Sequence, residues 1–364
     1  MMRLRFSIGF ISIWLITNSV SSLAQENSSF IGLNAHTGFI IPHSTTIREV
    51  SDTHPWGITA EGGWVLKSAR AWASCNCFTK VGVSAAYFNY QNPQVLGDSY
   101  NLIAFGEPML SFKRNWFLTI RGGVGVSYLT KVYNEVTNPD NLFFGSSLSF
   151  IGLASLTLNY RFQEDVVFRL AANYNHISNA GMRYPNKGMN FPTLSLGVEK
   201  QFGDQQFPTY DKQPGLRKQA WHRYLYVGGS RRSLEADSLY ERSNHLNMGL
   251  ETGVLRPVSN INGISGGVEL YYNGAEAEQA RRESNESAPL RLSLTLGHAL
   301  VFGKLSFTQQ MGYNVFQPQI SADRTFFQRY AIYYQLGKWL NAGVSIKAHG
   351  PTADFIDVRI GARW

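Results

Sequence analysis

The chain has 364 residues, 16% of them charged, with a formal charge of +8 and 18 Tyr, 23 Phe, 8 Trp and 34 Gly. No stretch approaches the ~18 to 20 uninterrupted apolar residues of a spanning helix, which excludes a helical membrane protein. The positive excess is compatible with an anionic glycolipid surface, and a solvated basic face explains it equally well.

At the N-terminus Arg3 and Arg5 precede an apolar run from Phe6 to Ile16, and Ser22-Leu23-Ala24 offers small residues for cleavage. Residues 1–24 therefore read as a signal peptide, whose removal lowers the formal charge to +6. No cysteine follows the cut, so no lipoprotein anchor is indicated. An exported chain with no helical span, little charge and many aromatics fits an all-β, antiparallel transmembrane β-barrel. In such a barrel lipid-facing and lumen-facing residues alternate, and aromatics collect at both interfaces.

Alternation is clearest in "NWFLTIRGGVGVSYL" and "DVVFRLAANYNHIS". The first turns Trp116, Leu118, Ile120, Val124, Val126 and Tyr128 outward and Thr119, Arg121, Gly123, Gly125 and Ser127 inward; the second turns Phe168, Leu170, Ala172 and Tyr174 outward. Similar runs begin near Phe30, Gly57, Thr79, Asn101, Ser146 and Phe191, giving eight strands before residue 203. Segments 43–56, 91–100, 130–145 and 177–190 are the long joins, expected outside the cell, while "KRN" and "QED" are short and expected in the periplasm. Cys75 and Cys77 are placed in a turn, where a local disulfide or two free thiols are better readings than a metal site.

Residues 203–221, polar and with two prolines, read as a linker. Beyond it strands begin near His222, His245, Gly263, Arg291, Lys304, Phe326, Leu340 and Phe355, again eight and about 16 in all. "LNAGVSIKAHGPTADFIDVRIGARW" repeats the layout of the end of the first half, which suggests an internal duplication. Inward positions are often small: Gly123, Gly125, Ser127, Ser195 and Gly197, then Gly249, Gly253, Ser293, Thr295 and Gly297. Small lumens filled by side chains favour two tandem 8-stranded barrels, residues 25–202 and 222–364, with one larger barrel as the alternative.

Chemistry centres on "NYNHISNAGMRYPNKGMNF". Even-numbered residues of this strand point outward, so His176 and Ser178 share the lipid face near the headgroup boundary. There an imidazole can take the proton of a neighbouring hydroxyl and make the serine a nucleophile. Two polar residues at a barrel rim are the plainer alternative, because a pair is less specific than a complete triad.

"NHISNAG" followed by "YPNKGMNF" resembles the PagL family of outer-membrane lipid A 3-O-deacylases, whose signature is His-x-Ser-Asn and then Asn-Pro-Gly-x-Glu, over roughly residues 30–202. The resemblance implies an esterase that removes an acyl chain from lipid A or lipopolysaccharide, on the outside of the barrel wall and facing the outer leaflet of the bacterial outer membrane. By motif position Ser178 is its nucleophile and His176 its base, while Asn179, with backbone amides near Ala180 and Gly181, stabilises the oxyanion. Acyl transfer by a serine needs no cofactor and no metal. The sequence departs from the motif at two places: Lys187 replaces the proline and Asn190 the glutamate. The Asn190 carbonyl can hold the imidazole tautomer without supplying charge, so lower turnover is expected. Glu199 lies deeper, with inward parity. The second reading is a non-catalytic barrel that binds glycolipid or has a structural role; a passive pore is third.

The second half has His349-Gly350-Pro351 at the matching place, with no serine. His349 reads as a structural histidine, and Glu251, Glu269, Arg291, Lys347, Asp357 and Arg359 as charges that pair inside the lumen. "RGGVGVSYL" is no dinucleotide loop, and no nucleic-acid surface is present. His36, His43 and His54 lie in or beside the first outer loop and read as solvated residues.

Overall fold

In the computed structural model, which describes residues 27–110, 114–212, 220–234, 239–241, 243–284, 289–317, 325–350 and 352–364, antiparallel strands close into two barrels of eight. The signal-peptide reading of residues 1–24 lies outside the described residues. The first barrel comprises β1 (Ser28–Gly38), β2 (Trp56–Leu66), β3 (Thr79–Asn89), β4 (Asp98–Pro108), β5 (Trp116–Leu129), β6 (Leu148–Gln163), β7 (Val166–Ser178) and β8 (Met189–Phe202). The second comprises β9 (His222–Leu234), β10 (Ser243–Pro257), β11 (Asn262–Asn273), β12 (Leu290–Phe302), β13 (Leu305–Phe316), β14 (Phe326–Gln335), β15 (Leu340–His349) and β16 (Thr352–Arg363). Strand β8 pairs back to β1, and β16 to β9, so the tandem arrangement holds and the single larger barrel does not.

Period-two alternation fixes what each face meets. Around the first barrel Ile31, Leu33, Leu102, Ile120, Leu170 and Leu196 stand exposed, forming the apolar band that lipid covers. Aromatics gather at its two ends. Trp56 stacks edge-on against Tyr87 at 5.7 Å and Tyr87 lies 5.4 Å from Tyr100, while Trp116 and Tyr160 lie 4.5 Å apart at the opposite end. Among the described residues no helix is long and apolar enough to cross a membrane.

Both lumens are plugged by charge. In the first, Arg169 reaches Glu107 at 2.9 Å and Glu199 at 2.6 Å, Arg121 reaches Glu61 at 2.5 Å, and Lys80 reaches Glu199 at 2.7 Å. In the second, Arg329 bonds Glu269 at 2.5 Å and Asp357 at 3.1 Å, Lys347 bonds Glu269 at 3.1 Å, and Arg359 bonds Glu251. Each plug balances three acids with three bases, which offsets the cost of burying any one of them. Glu199 is thus committed to the lumen. Arg291 is buried against Glu276, and His349 sits at the rim with Nδ1 3.7 Å from Asp354 Oδ2.

Two helices occupy connections where none was expected. The segment expected as a plain turn holds α1 (Ala69–Cys75), capped by Ser68, whose side chain accepts the Ala71 N–H at 3.2 Å. It ends at Asn76 in the left-handed region, φ 54°, and Cys75 and Cys77 form a disulfide. In the second barrel α2 (Gly274–Arg282) is capped by Asn273 and carries Arg281 and Arg282 in its last turn. His36 also departs from expectation: it faces the lumen between Thr59 Oγ1 at 3.0 Å and Thr193 Oγ1 at 3.4 Å, because odd-even parity in β1 turns it inward.

The long connections 39–55, 90–97, 130–147 and 179–188 share one end of the first barrel. Ile40, Ile47, Phe88, Tyr90, Leu96, Phe143, Phe144, Ile177, Met189 and Phe191 pack there into an apolar cap. At the other end the chain after β8 folds back, with Trp72 Nε1 donating to Asp211 O at 3.0 Å and Tyr210 Oη donating to Lys67 O at 3.0 Å. The barrels lie side by side with their long-loop ends together. Arg232 of β9 donates to Tyr184 Oη at 3.2 Å at that end, and a Cβ on Gly303 would meet Ser74 Oγ at 2.8 Å at the other.

Candidate active site

Strand β7 ends where its outward and inward faces have different work. Ile177 and the facing Met189 point into the apolar cap, so His176 and Ser178 must point out, with Asn190 opposite His176 on β8. His176 Nδ1 lies 2.7 Å from Asn190 Oδ1. With the carbonyl as acceptor, Nδ1 carries the proton and Nε2 keeps its lone pair.

Ser178 faces the same way but is covered by the turn that follows it, and only 7% of it is exposed. Its Oγ accepts the Ala180 N–H at 3.0 Å and the Asn186 Nδ2–H at 3.0 Å. His176 and Ser178 are not joined by a hydrogen bond. Gly188 lies between them: with φ +70°, a Cβ there would sit 3.1 Å from His176 Cε1 and 3.4 Å from Ser178 Cβ. This position requires glycine both for its left-handed backbone and for the close approach.

Two members of the expected oxyanion set, Asn179 and Gly181, spend their donors within the turn. Asn179 turns its side chain into the loop, donating from Nδ2 to Ser146 Oγ at 3.2 Å and Arg183 O at 2.7 Å and accepting from Gly181 N at 3.1 Å. It shapes the turn and offers no spare donor. The Gly181 N–H is likewise engaged, which leaves the Ala180 N–H beside Ser178. The side chain that sequence reasoning missed is Asn186, buried, with Oδ1 accepting from Asn179 N at 3.1 Å while Nδ2 points at Ser178 Oγ. Asn186 occupies the first place of the Asn-Pro-Gly-x-Glu element, and that position was the available signal.

Neighbouring loops clamp this turn. Lys187 N donates to Leu142 O at 3.0 Å and Gly188 N to Phe143 O at 3.3 Å, while His43 Nε2 lies 3.0 Å from Lys187 O. His43 therefore braces the site rather than standing in solvent. Lys187, in the place of the motif's proline, supplies the backbone N–H that a proline would lack. No group of His, Cys, Asp or Glu among the described residues is arranged to hold a metal ion. On the lipid side Gly152 of β6 sits directly opposite His176, and a Cβ there would meet nothing within 4 Å. The imidazole thus overlooks an open notch in the barrel wall.

A lipid-embedded pair of small barrels with a polar His-Asn-Ser cluster at one rim defines an outer-membrane barrel with a candidate acyl-transfer site. Residues 58–199 match the lipid A 3-O-deacylase (PagL) family, and residues 219–364 match the acyloxyacyl hydrolase C-terminal domain. The chain belongs to the PagL family and is a protein of the bacterial outer membrane. Among solved structures it is similar to Neisserial surface protein A, at 10% identity and TM-score 0.35, over 48% of this chain and 97% of that one. It is similar also to the outer membrane enzyme PagL, at 17% identity and TM-score 0.35, over 46% of this chain and 97% of that one. A third is Ail, the attachment invasion locus protein of Yersinia pestis, at 13% identity and TM-score 0.27, over 49% of this chain and all of that one. No curated protein matches the chain.

Proposed function

We propose that the protein is an esterase that removes an ester-linked acyl chain from lipid A in the outer leaflet, with the long-loop end of the barrels facing outward. The observation that carries this reading is the 2.7 Å bond from His176 Nδ1 to Asn190 Oδ1, which holds the ring with its proton on Nδ1 and leaves the Nε2 lone pair free to act as a base. The reaction requires Ser178 Oγ to give up its Asn186 contact for His176 Nε2 by rotation of the side chain. Apo geometry of this kind commonly tightens only with substrate bound.

In the first step Ser178 Oγ attacks the ester carbonyl and its proton passes to His176 Nε2. The Ala180 N–H and Asn186 Nδ2–H, now on Oγ, move to the developing oxyanion, where each donor is worth a few kcal/mol in a water-poor site. Collapse breaks the bond to the glycolipid oxygen, which takes the proton from His176 and leaves an acyl-serine. Water then attacks with His176 again as base, and the fatty acid departs. Fatty-acid release from lipid A in detergent tests the reading; intact lipid A beside a folded barrel would contradict it.

Asn190 orients the ring but brings no negative charge to the imidazolium. A carboxylate has only acceptors, so Asn190→Glu locks the Nδ1–H tautomer and stabilises the protonated ring. We expect kcat to rise by about tenfold, the effect of 1.4 kcal/mol in the barrier. Steady-state kinetics on lipid A would show this, and an unchanged or lower kcat would detach Asn190 from the mechanism.

Gly152 gives a second test. Because a Cβ there touches nothing within 4 Å, Gly152→Leu should leave the barrel folded while filling the notch opposite His176. We expect kcat/KM to fall by about tenfold or more, since a small displacement of the scissile bond is costly. Unaltered kinetics with a normal heat-modifiable band would place the substrate elsewhere.

A further inference from the structure

We propose that the cleft between the two barrels binds the anionic, acylated body of the glycolipid, so that the second barrel completes the substrate site of the first; this rests on the hydrolase reading above. The turn that follows Ser178 packs directly on the second barrel: a Cβ on Gly181 would meet Asp354 O at 2.6 Å. Beside it lies a cleft of about 370 Å3, bounded by Met182 on one side and by Gly229, Arg231, Leu246 and Val358 on the other. That size falls within the range of small-molecule sites.

The far wall is the lipid-facing surface of β10, β9 and β16. Leu246 stands opposite Arg231, and in the next row Gly229 is flanked by Met248 and Val358. Gly229 leaves a slot in this apolar row, since a Cβ there would meet only Asn247 O, at 3.8 Å. Arg231 sits at the loop end of the slot. It is exposed and forms no ion pair among the described residues, whereas the adjacent Arg232 is held by Asp354 at 2.9 Å and by Tyr184. A guanidinium at the rim of an apolar, lipid-facing slot is costly unless an anion meets it, and its forked donors suit a phosphate. A chain in the Gly229 slot with a phosphate on Arg231 would set the rest of the glycolipid against the Ala180–Gly181 turn.

The test is binding of bisphosphorylated, hexa-acylated lipid A in detergent to full-length Ser178→Ala protein, with Arg231→Glu or Gly229→Leu added. Dephosphorylated lipid A and phosphatidylglycerol serve as further ligands. Arg231→Glu should weaken lipid A binding by about tenfold and leave the dephosphorylated form unchanged, as loss of one charge-assisted contact predicts. Gly229→Leu should weaken both. Arg231→Gln replaces the glutamate variant if that fails to show the heat-modifiable band. Binding unchanged in these variants, or equal affinity for phosphatidylglycerol, would overturn the proposal. Weakened binding together with no lipid A hydrolysis by the parent chain would instead sink the hydrolase reading and leave the cleft standing.

Discussion

Ser178→Ala is expected to lower acyl-ester hydrolysis by on the order of a thousandfold while the barrel stays folded. His176→Ala should cost about as much, and the double variant hardly more. Groups that act as one unit are not additive: once the nucleophile or its base is gone, only the oxyanion donors and substrate binding remain. Two unrelated interfacial residues would give small and additive effects instead, so the double variant separates the catalytic reading from the plainer one. Replacing Ser178 strands the Asn186 amide and the Ala180 N–H, which now bond its Oγ at 3.0 Å each. That costs about 1–3 kcal/mol. The turn remains anchored through Ser146, Leu142 and Phe143. Kinetics on lipid A, with the heat-modifiable band as a folding control, measures both effects.

Arg169→Met should destabilise the first barrel by about 3–5 kcal/mol, the usual cost of removing one partner from a buried ionic network. Arg169 bridges Glu107 at 2.9 Å and Glu199 at 2.6 Å, and its loss leaves three carboxylates facing only Arg121 and Lys80. Adding Glu107→Gln restores the balance, because Arg121 keeps Glu61 and Lys80 keeps Glu199. The double variant should therefore recover much of the loss. Urea midpoints in lipid vesicles, followed by gel mobility, would show it. Equal midpoints for wild type and the single variant would mean that strand pairing, not the charged plug, sets the stability.

Much of this architecture is legible in the sequence because barrel strands carry a two-residue period with opposite solvents on their faces. The outward set Trp116, Leu118, Ile120 and Tyr128 is the set found exposed, and Arg121 and Ser127 are buried. The small inward residues favour two lumens over one, and the closed pairings of β8 with β1 and β16 with β9 agree. Helices α1 and α2 escape such reading because they are short elements inside connections, fixed by single caps at Ser68 and Asn273 and by packing. Outward parity brings His176 and Asn190 together on paper, since it depends only on register. Asn186 and the true direction of Asn179 do not follow from register, because their contacts are made across a turn. Parity places His36 in the lumen too, once β1 is known to extend through Gly38.

The most direct test of the central claim is mass spectrometry of lipid A and of the released fatty acids after incubation with purified protein in detergent, beside Ser178→Ala. The account predicts loss of one ester-linked acyl chain with the wild type and none with the variant. Intact lipid A in both samples, or equal loss in both, with the barrels shown to be folded, would contradict it.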